Sequence, residues 1–257
     1  GIASKYARPT LGIVDWDNTR TQPPAVAASA GLDVLSHALE SYTAIPYDQR
    51  VRPARPSERS AYQGSNPMSD VWALRALEIV AEFLPRAVAD TSDDEARMQM
   101  ILASSMAGIG FGNAGVHLPH AMAYPVAGMV REFRPAGFAT DHAMVPHGMS
   151  VILHTPAVAR FTAITSPQRH LLGAKALGAD ISRANPADAG HILADRVIHF
   201  MQLLKMPHGL KEVGYDSADI PALVEGTLAQ QRLIKLSPVA TGAEELGKMF
   251  EESMVIW

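Results

Sequence analysis

GLDVLSHALESY, residues 31–42, decides the reading of this chain. Asp33 and His37 stand four residues apart, about one helical turn, so on a helix both side chains leave the same face. Around them Ala27, Ala28, Ala30, Leu32, Leu35, Ala38 and Leu39 make the segment apolar on nearly every side. A helix apolar all round is buried, and a buried carboxylate must be paired or bound to a cation. A D-x-x-x-H pair arises often by chance, as an exposed acid beside a capping or core histidine. The buried context is what favours a metal.

Two later runs supply further imidazoles: GVHLPHAMAYP (residues 115–125) and VPHGMS (145–150). His120 and His147 complete a set of three imidazoles and one carboxylate. Such a set suits Fe(II) or Zn(II), whereas Ca and Mg prefer all-oxygen shells. Spacing alone does not separate His120 from His117, with Pro119 between them. His142 and His154 compete with His147. His170, His191, His199 and His208 read as surface or capping residues.

Outward from these runs the chain is helical. Pro24 opens a first helix that reaches Thr43, since proline's missing N–H costs nothing at a helix start. Residues 44–66, rich in Pro, Arg and Ser, form a long loop of the kind that is functional or mobile. A second helix is expected over Met68–Ala89, kinked or ended by Pro85, and a third from the acidic start at 92–95 to about Ile109. Helix resumes after Pro119, and a loop covers 130–145. One helix is expected from His147 to about Thr165, with amphipathic segments near 167–178, 187–204, 219–229 and 243–254. Before Pro24, TLGIVDW (Thr10 to Trp16) reads as a strand leading to an acidic turn. The expected fold is therefore mainly α, with a short strand-bearing N-terminal lead-in.

Gly108-Ile-Gly-Phe-Gly112-Asn-Ala-Gly115 mimics a dinucleotide fingerprint. That fingerprint needs a strand before it and a helix after it. Here the glycines follow a helix and read as packing and turn positions. Neither G-x-x-x-x-G-K-[ST] nor G-x-S-x-G occurs.

The chain has 257 residues, 47% hydrophobic and 19% charged, which is globular composition. A net charge of −4 offers no basic excess for nucleic acid or an acidic membrane surface, so the expected partner is a small molecule. Cysteine is absent, which rules out thiolate ligands and fits a cytoplasmic protein. No apolar run reaches membrane-spanning length and no secretory signal is visible. Gly1 is not Met, and GIASKY reads like the interior of a longer protein.

GLDVLSHALESY, GNAGVHLPHAMAYP and VPHGMS, in that order, resemble the iron-containing (group III) alcohol dehydrogenases. AYQGSNPMSD and GIGFGNAGVH look most like the hydroxyacid–oxoacid transhydrogenase branch, and the similarity runs on through DIPALVEGTL at residue 219. The resemblance implies the all-helical C-terminal domain of the dehydroquinate synthase-like, iron alcohol dehydrogenase fold. Residues 24–257 would be the metal-binding catalytic domain. Residues 1–23 would be a remnant of an N-terminal NAD(P)-binding α/β domain, whose Gly-Gly-Gly-Ser loop this sequence lacks.

It implies Asp33, His37, His120 and His147 as ligands of Fe(II) or Zn(II), and so selects His120 over His117. In the family motif V-H-x-M-A-H-P the last His lies near the nicotinamide. Here that position is Tyr124, which departs from the pattern yet still offers a hydrogen-bonding hydroxyl in a catalytic or cofactor-contact role. The implied activity is hydride transfer between an alcohol or hydroxyacid and NAD(P), with the chain by itself inactive. The alternative is a catalytically inactive metal-binding helical domain with a structural role. Arg50, Arg52, Arg55 and Arg59 are candidates for gripping an acidic substrate, against a plain solvated basic loop. Loss of a covering domain would promote homo-oligomers.

Overall fold

The computed structural model describes residues 10–257. Among them helices carry the fold: α1 (Pro24–Thr43), α2 (Pro67–Ala89), α3 (Asp94–Ala114), α4 (Leu118–Gly128), α5 (His147–Ile152) and α6 (Thr155–Thr162). They continue through α7 (Pro167–Ala176), α8 (Ala189–Leu203), α9 (Ile220–Leu228), α10 (Gln231–Ile234) and α11 (Ala243–Met254). No β-strand occurs among the described residues. A single isolated bridge, Pro46 to Ser65, closes the base of the 44–66 loop.

The apolar character of α1 makes it the hub. Leu32, Leu35 and Ala38 are wholly buried, and the helix packs against α2, α3, α5 and α7. Three charged groups sit inside this framework, each with partners. Glu40 is buried on α1. Arg169 donates to Asp70 at 2.7 Å and to the Tyr42 carbonyl at 2.8 Å. The buried Arg97 donates to the carbonyls of Thr91 (2.7 Å), Thr19 and Gln22, pinning the lead-in to α3.

The expected lead-in strand is not there. Residues 11–15 have no regular structure and Trp16–Thr19 form a 3-10 turn, capped by the Asp15 side chain on the Asp17 N–H. Without a neighbouring strand, a short apolar run has nothing to complete its backbone hydrogen bonds, and Leu11 and Ile13 stay exposed. The reading of Gly1 and the first part of the 1–23 remnant lies outside the described residues.

Two boundaries moved, and one proline did not end its helix. Helix α2 passes through Pro85, with Leu84 and Ala87 buried on either side, so packing outweighs one lost backbone donor. Helix α3 runs to Ala114 and stops at Gly115, whose φ of +93° suits glycine. Only Gly110 of the earlier glycines packs closely, against Ser41 and Ala73, while Gly108 and Gly112 face open space. The single helix expected from His147 is two helices. Pro156 has no N–H for the Ile152 carbonyl and its ring crowds that oxygen, so the chain breaks at Leu153–His154 and restarts.

Candidate metal centre

Three helices converge at Asp33. It lies in the middle of α1, with His37 one turn on. His120 sits in the first turn of α4, and His147 is the first residue of α5. One ligand atom each from Asp33, His120 and His147 lies within 4.8 Å of the others. From Asp33 Oδ1 it is 3.5 Å to His120 Nε2 and 3.9 Å to His147 Nε2. Both Asp33 Oδ1 and His120 Nε2 are buried, and neither has a hydrogen-bond partner. At 3.5 Å they are beyond an ordinary N–H···O bond to each other. Two orphaned polar atoms facing one point, with a third imidazole alongside, fit a cation.

His37 is beside the cluster, not in it. Its ring centroid is 4.4 Å from that of His120, and it stacks on Phe111 at 4.2 Å. Its Nδ1 lies 2.9 Å from the Asp33 carbonyl. A carbonyl only accepts, so Nδ1 carries the hydrogen and Nε2 keeps its lone pair.

Position is set by two devices. Glu40, seven residues after Asp33 on α1, reaches the start of α4. Its Oε1 takes the His120 Nδ1 hydrogen at 2.6 Å, and its Oε2 accepts from the His117 N–H at 2.7 Å. One buried carboxylate thus satisfies an open helix N-terminus and turns His120 Nε2 toward Asp33. Glu40 was missed in the sequence because it sits inside an apolar run. Its i, i+7 spacing from Asp33 was the available signal. The second device is Gly148. A Cβ there would overlap the Ser29 carbonyl oxygen and come within 2.9 Å of Asp33 Cβ, so only glycine lets α5 lie on α1. Met149 N–H to Ser29 Oγ at 3.2 Å ties the contact.

Charge follows from this geometry. Burial disfavours a charged His120, but Glu40 and Asp33 outweigh it and push its pKa up to about 9. Burial likewise works against ionised Asp33 and Glu40, yet the histidines facing each hold both below the ordinary carboxylate range. His37 is lowered to about 4 by burial and then by His120, and His147 is lowered chiefly by burial. Two carboxylates against one charged imidazole leave a net negative charge at the centre, which a cation would compensate.

The remaining candidates go elsewhere. His117 Nε2 pairs with Thr43 Oγ1 at 3.0 Å, away from Asp33. His142 is exposed beside Asp141. His154 is buried near Ser253 and Phe250. His170, expected at the surface, is buried: its ring bridges Thr162 Oγ1 (2.9 Å) and the Ser166 carbonyl (3.0 Å) on the inner face of α7. Arg50 donates to the Tyr62 carbonyl, and Arg52, Arg55 and Arg59 are exposed. Tyr124 lies one turn past His120, its ring 6.3 Å from that of His147, and its hydroxyl accepts from Arg232 at 3.1 Å. A groove of about 450 Å³ along the α1–α3 seam reaches Asp33, His37 and Phe111.

Hydroxyacid-oxoacid transhydrogenases named as mitochondrial are 55% identical in Xenopus laevis and 52% in Homo sapiens, over all of this chain and 56% and 55% of theirs. The chain thus spans about half the length of these curated relatives. An iron-containing alcohol dehydrogenase from Thermococcus thioreducens superposes with a TM-score of 0.76 at 28% identity, covering 98% of this chain and 57% of that one. A sulfoacetaldehyde reductase from Bifidobacterium kashiwanohense, in complex with NAD+, does so at 0.74 and 26%, covering 98% and 56%. The relatives' mitochondrial names overturn the cytoplasmic expectation, which rested on missing cysteines and a missing signal. Low cysteine content is not specific to the cytosol, and targeting segments are removable and not part of a fold. Residues 58–254 match the description Fe-containing alcohol dehydrogenase family, C-terminal, and the chain belongs to that family.

Proposed function

We propose that this chain is the metal-binding half of a mitochondrial oxidoreductase. It would transfer hydride between a hydroxyacid or alcohol and NAD(P), with Fe(II) or Zn(II) held by Asp33, His37, His120 and His147. The observation that carries the reading is the pair of buried, unpartnered atoms Asp33 Oδ1 and His120 Nε2, with His147 Nε2 beside them. The transhydrogenase relatives support hydroxyacids as substrates, and the NAD+-bound reductase supports a nicotinamide. Residues 24–257 are the catalytic-metal unit in this reading. NAD(P) is held largely by residues other than these, since the sequence has no Gly-Gly-Gly-Ser.

Bound at this centre, the ion supplies Lewis acidity to the substrate oxygen. The protein does the rest. Glu40 holds the Nδ1 hydrogen of His120 and the Asp33 carbonyl that of His37, so Nε2 is the ligating atom of each, and the Nε2 proton of His120 leaves when a cation binds. Asp33 stays ionised among three imidazoles. The His147 side chain is 49% exposed against 4% for His120, so substrate enters from the His147 side. Tyr124 stands on that side and contacts substrate or cofactor through its hydroxyl.

Elemental analysis tests the reading. Wild type purified without chelator should carry about one iron or zinc per chain, and His120→Ala and Asp33→Ala should carry none. A wild type that stays empty after anaerobic Fe(II) or Zn(II) addition would reject it.

A further inference from the structure

Tyr124 lies on the exposed His147 side of the centre, its ring 6.3 Å from that of His147. Its hydroxyl accepts a hydrogen from Arg232 Nη2 at 3.1 Å, leaving the phenol's own proton to donate outward. Arg232 lies on α10, which packs on α4 and so is carried by the same helix as His120. Among the described residues no carboxylate forms an ion pair with it, and its guanidinium is exposed. Other arginines are placed differently. Arg97 is tied to three backbone carbonyls, and its Cα is about 20 Å along α3 from Phe111, at 1.5 Å per residue. Arg50 holds the Tyr62 carbonyl.

We infer that Arg232 and Tyr124 form the carboxylate-binding subsite that makes this centre selective for hydroxyacids and oxoacids over neutral alcohols. The inference rests on the reading of the centre given above. The guanidinium offers a fork of N–H donors to one face of a carboxylate, and the Tyr124 O–H donates to one of its oxygens. The acid's hydroxyl or keto oxygen then points past His147 to the centre. An acid is thereby held at both ends, whereas a neutral alcohol is held at one. Tyr124 replaces the histidine of the family motif, and its phenol O–H is a hydrogen-bond donor suited to an anion.

Calorimetric titration of the Zn(II)-loaded chain tests this without turnover. The probes are 3-hydroxypropanoate and 5-hydroxypentanoate, each against the diol of equal length. In wild type the acid of fitting length should bind about tenfold or more tighter than its diol. Arg232→Gln should remove that preference while leaving diol binding and zinc content unchanged. Arg232→Lys should keep part of it, because the charge stays and the fork is lost. Tyr124→Phe should weaken acid binding several-fold. Equal acid and diol binding in wild type, or a preference that survives Arg232→Gln, would overturn the subsite and leave the metal-centre reading standing. A zinc-loaded wild type that binds neither acids nor diols would overturn that reading, and this inference with it.

Discussion

Glu40 has a single oxygen on the His120 ring and the other on the α4 backbone, so it does two jobs that substitutions separate. Glu40→Gln keeps the shape and an acceptor but removes the charge that orients and polarises His120. Zinc affinity, measured by competition with a chromophoric chelator, should fall about 10–100-fold with the fold intact. Glu40→Leu should add destabilisation of about 1–3 kcal/mol, because the His117 N–H and His120 Nδ1 then lose their partner in the interior. An unchanged affinity in Glu40→Gln would mean that the α4 backbone alone aims His120. At this scale the sequence was legible where chemistry follows helical period: Asp33 and His37 share a turn. It was illegible where the partner comes from far along the chain. Nothing near Glu40 announces His120, eighty residues away, and nothing near Tyr124 announces Arg232. Spacing leaves His117 and His120 undivided; the family resemblance selects His120, and in the structure His117 pairs with Thr43.

Helix by helix, most of the secondary structure follows from apolar period and proline placement, and the failures have local causes. Pro156 splits α5 from α6. Pro85 sits between packed neighbours and ends nothing. The lead-in lacks a strand to pair with. The approach of α5 to α1 is a further matter, since it depends on one missing side chain. Gly148→Ala should push α5 off Ser29 and carry His147 away from Asp33. The expected result is a loss of zinc affinity above tenfold, together with about 1–3 kcal/mol of stability by urea unfolding. Gly247→Ala in α11 is the control: nothing lies within 4 Å of its Cβ, so the change should stabilise by up to about 1 kcal/mol. Equal outcomes for the two variants would refute the close-approach argument.

Across the whole molecule, buried histidines make stability depend on pH. His154 is held neutral by burial, with its pKa lowered to about 3, and His117 likewise to about 4. The unfolded chain protonates both near 6.5. Above that pH neither state binds the proton and nothing is lost. As pH falls from 6.5 toward 3–4 the unfolded chain gains protons that the folded chain refuses, so stability declines through that window. At about pH 5 each contributes a loss of about 2 kcal/mol. Urea unfolding of wild type and His154→Leu at about pH 7.5 and pH 5 checks this: wild type should lose about 2 kcal/mol relative to the variant at the lower pH, and a constant difference would count against it.

The candidate metal centre belongs to the same scale because its residues join α1, α4 and α5, elements separated by up to 114 residues between Asp33 and His147. An ion that binds only when those helices are assembled stabilises the folded chain by mass action. Zinc at about a hundred times its dissociation constant should add about 2.7 kcal/mol, seen as a rise in Tm that excess chelator reverses. Asp33→Ala should abolish the rise. His37→Ala should reduce it less than His120→Ala, because His37 stands beside the cluster and His120 within it. An equal loss in both would mean that bringing His37 into the ligand set costs little when the ion binds. A zinc-induced rise that persists in Asp33→Ala would locate the stabilising ion at some other site.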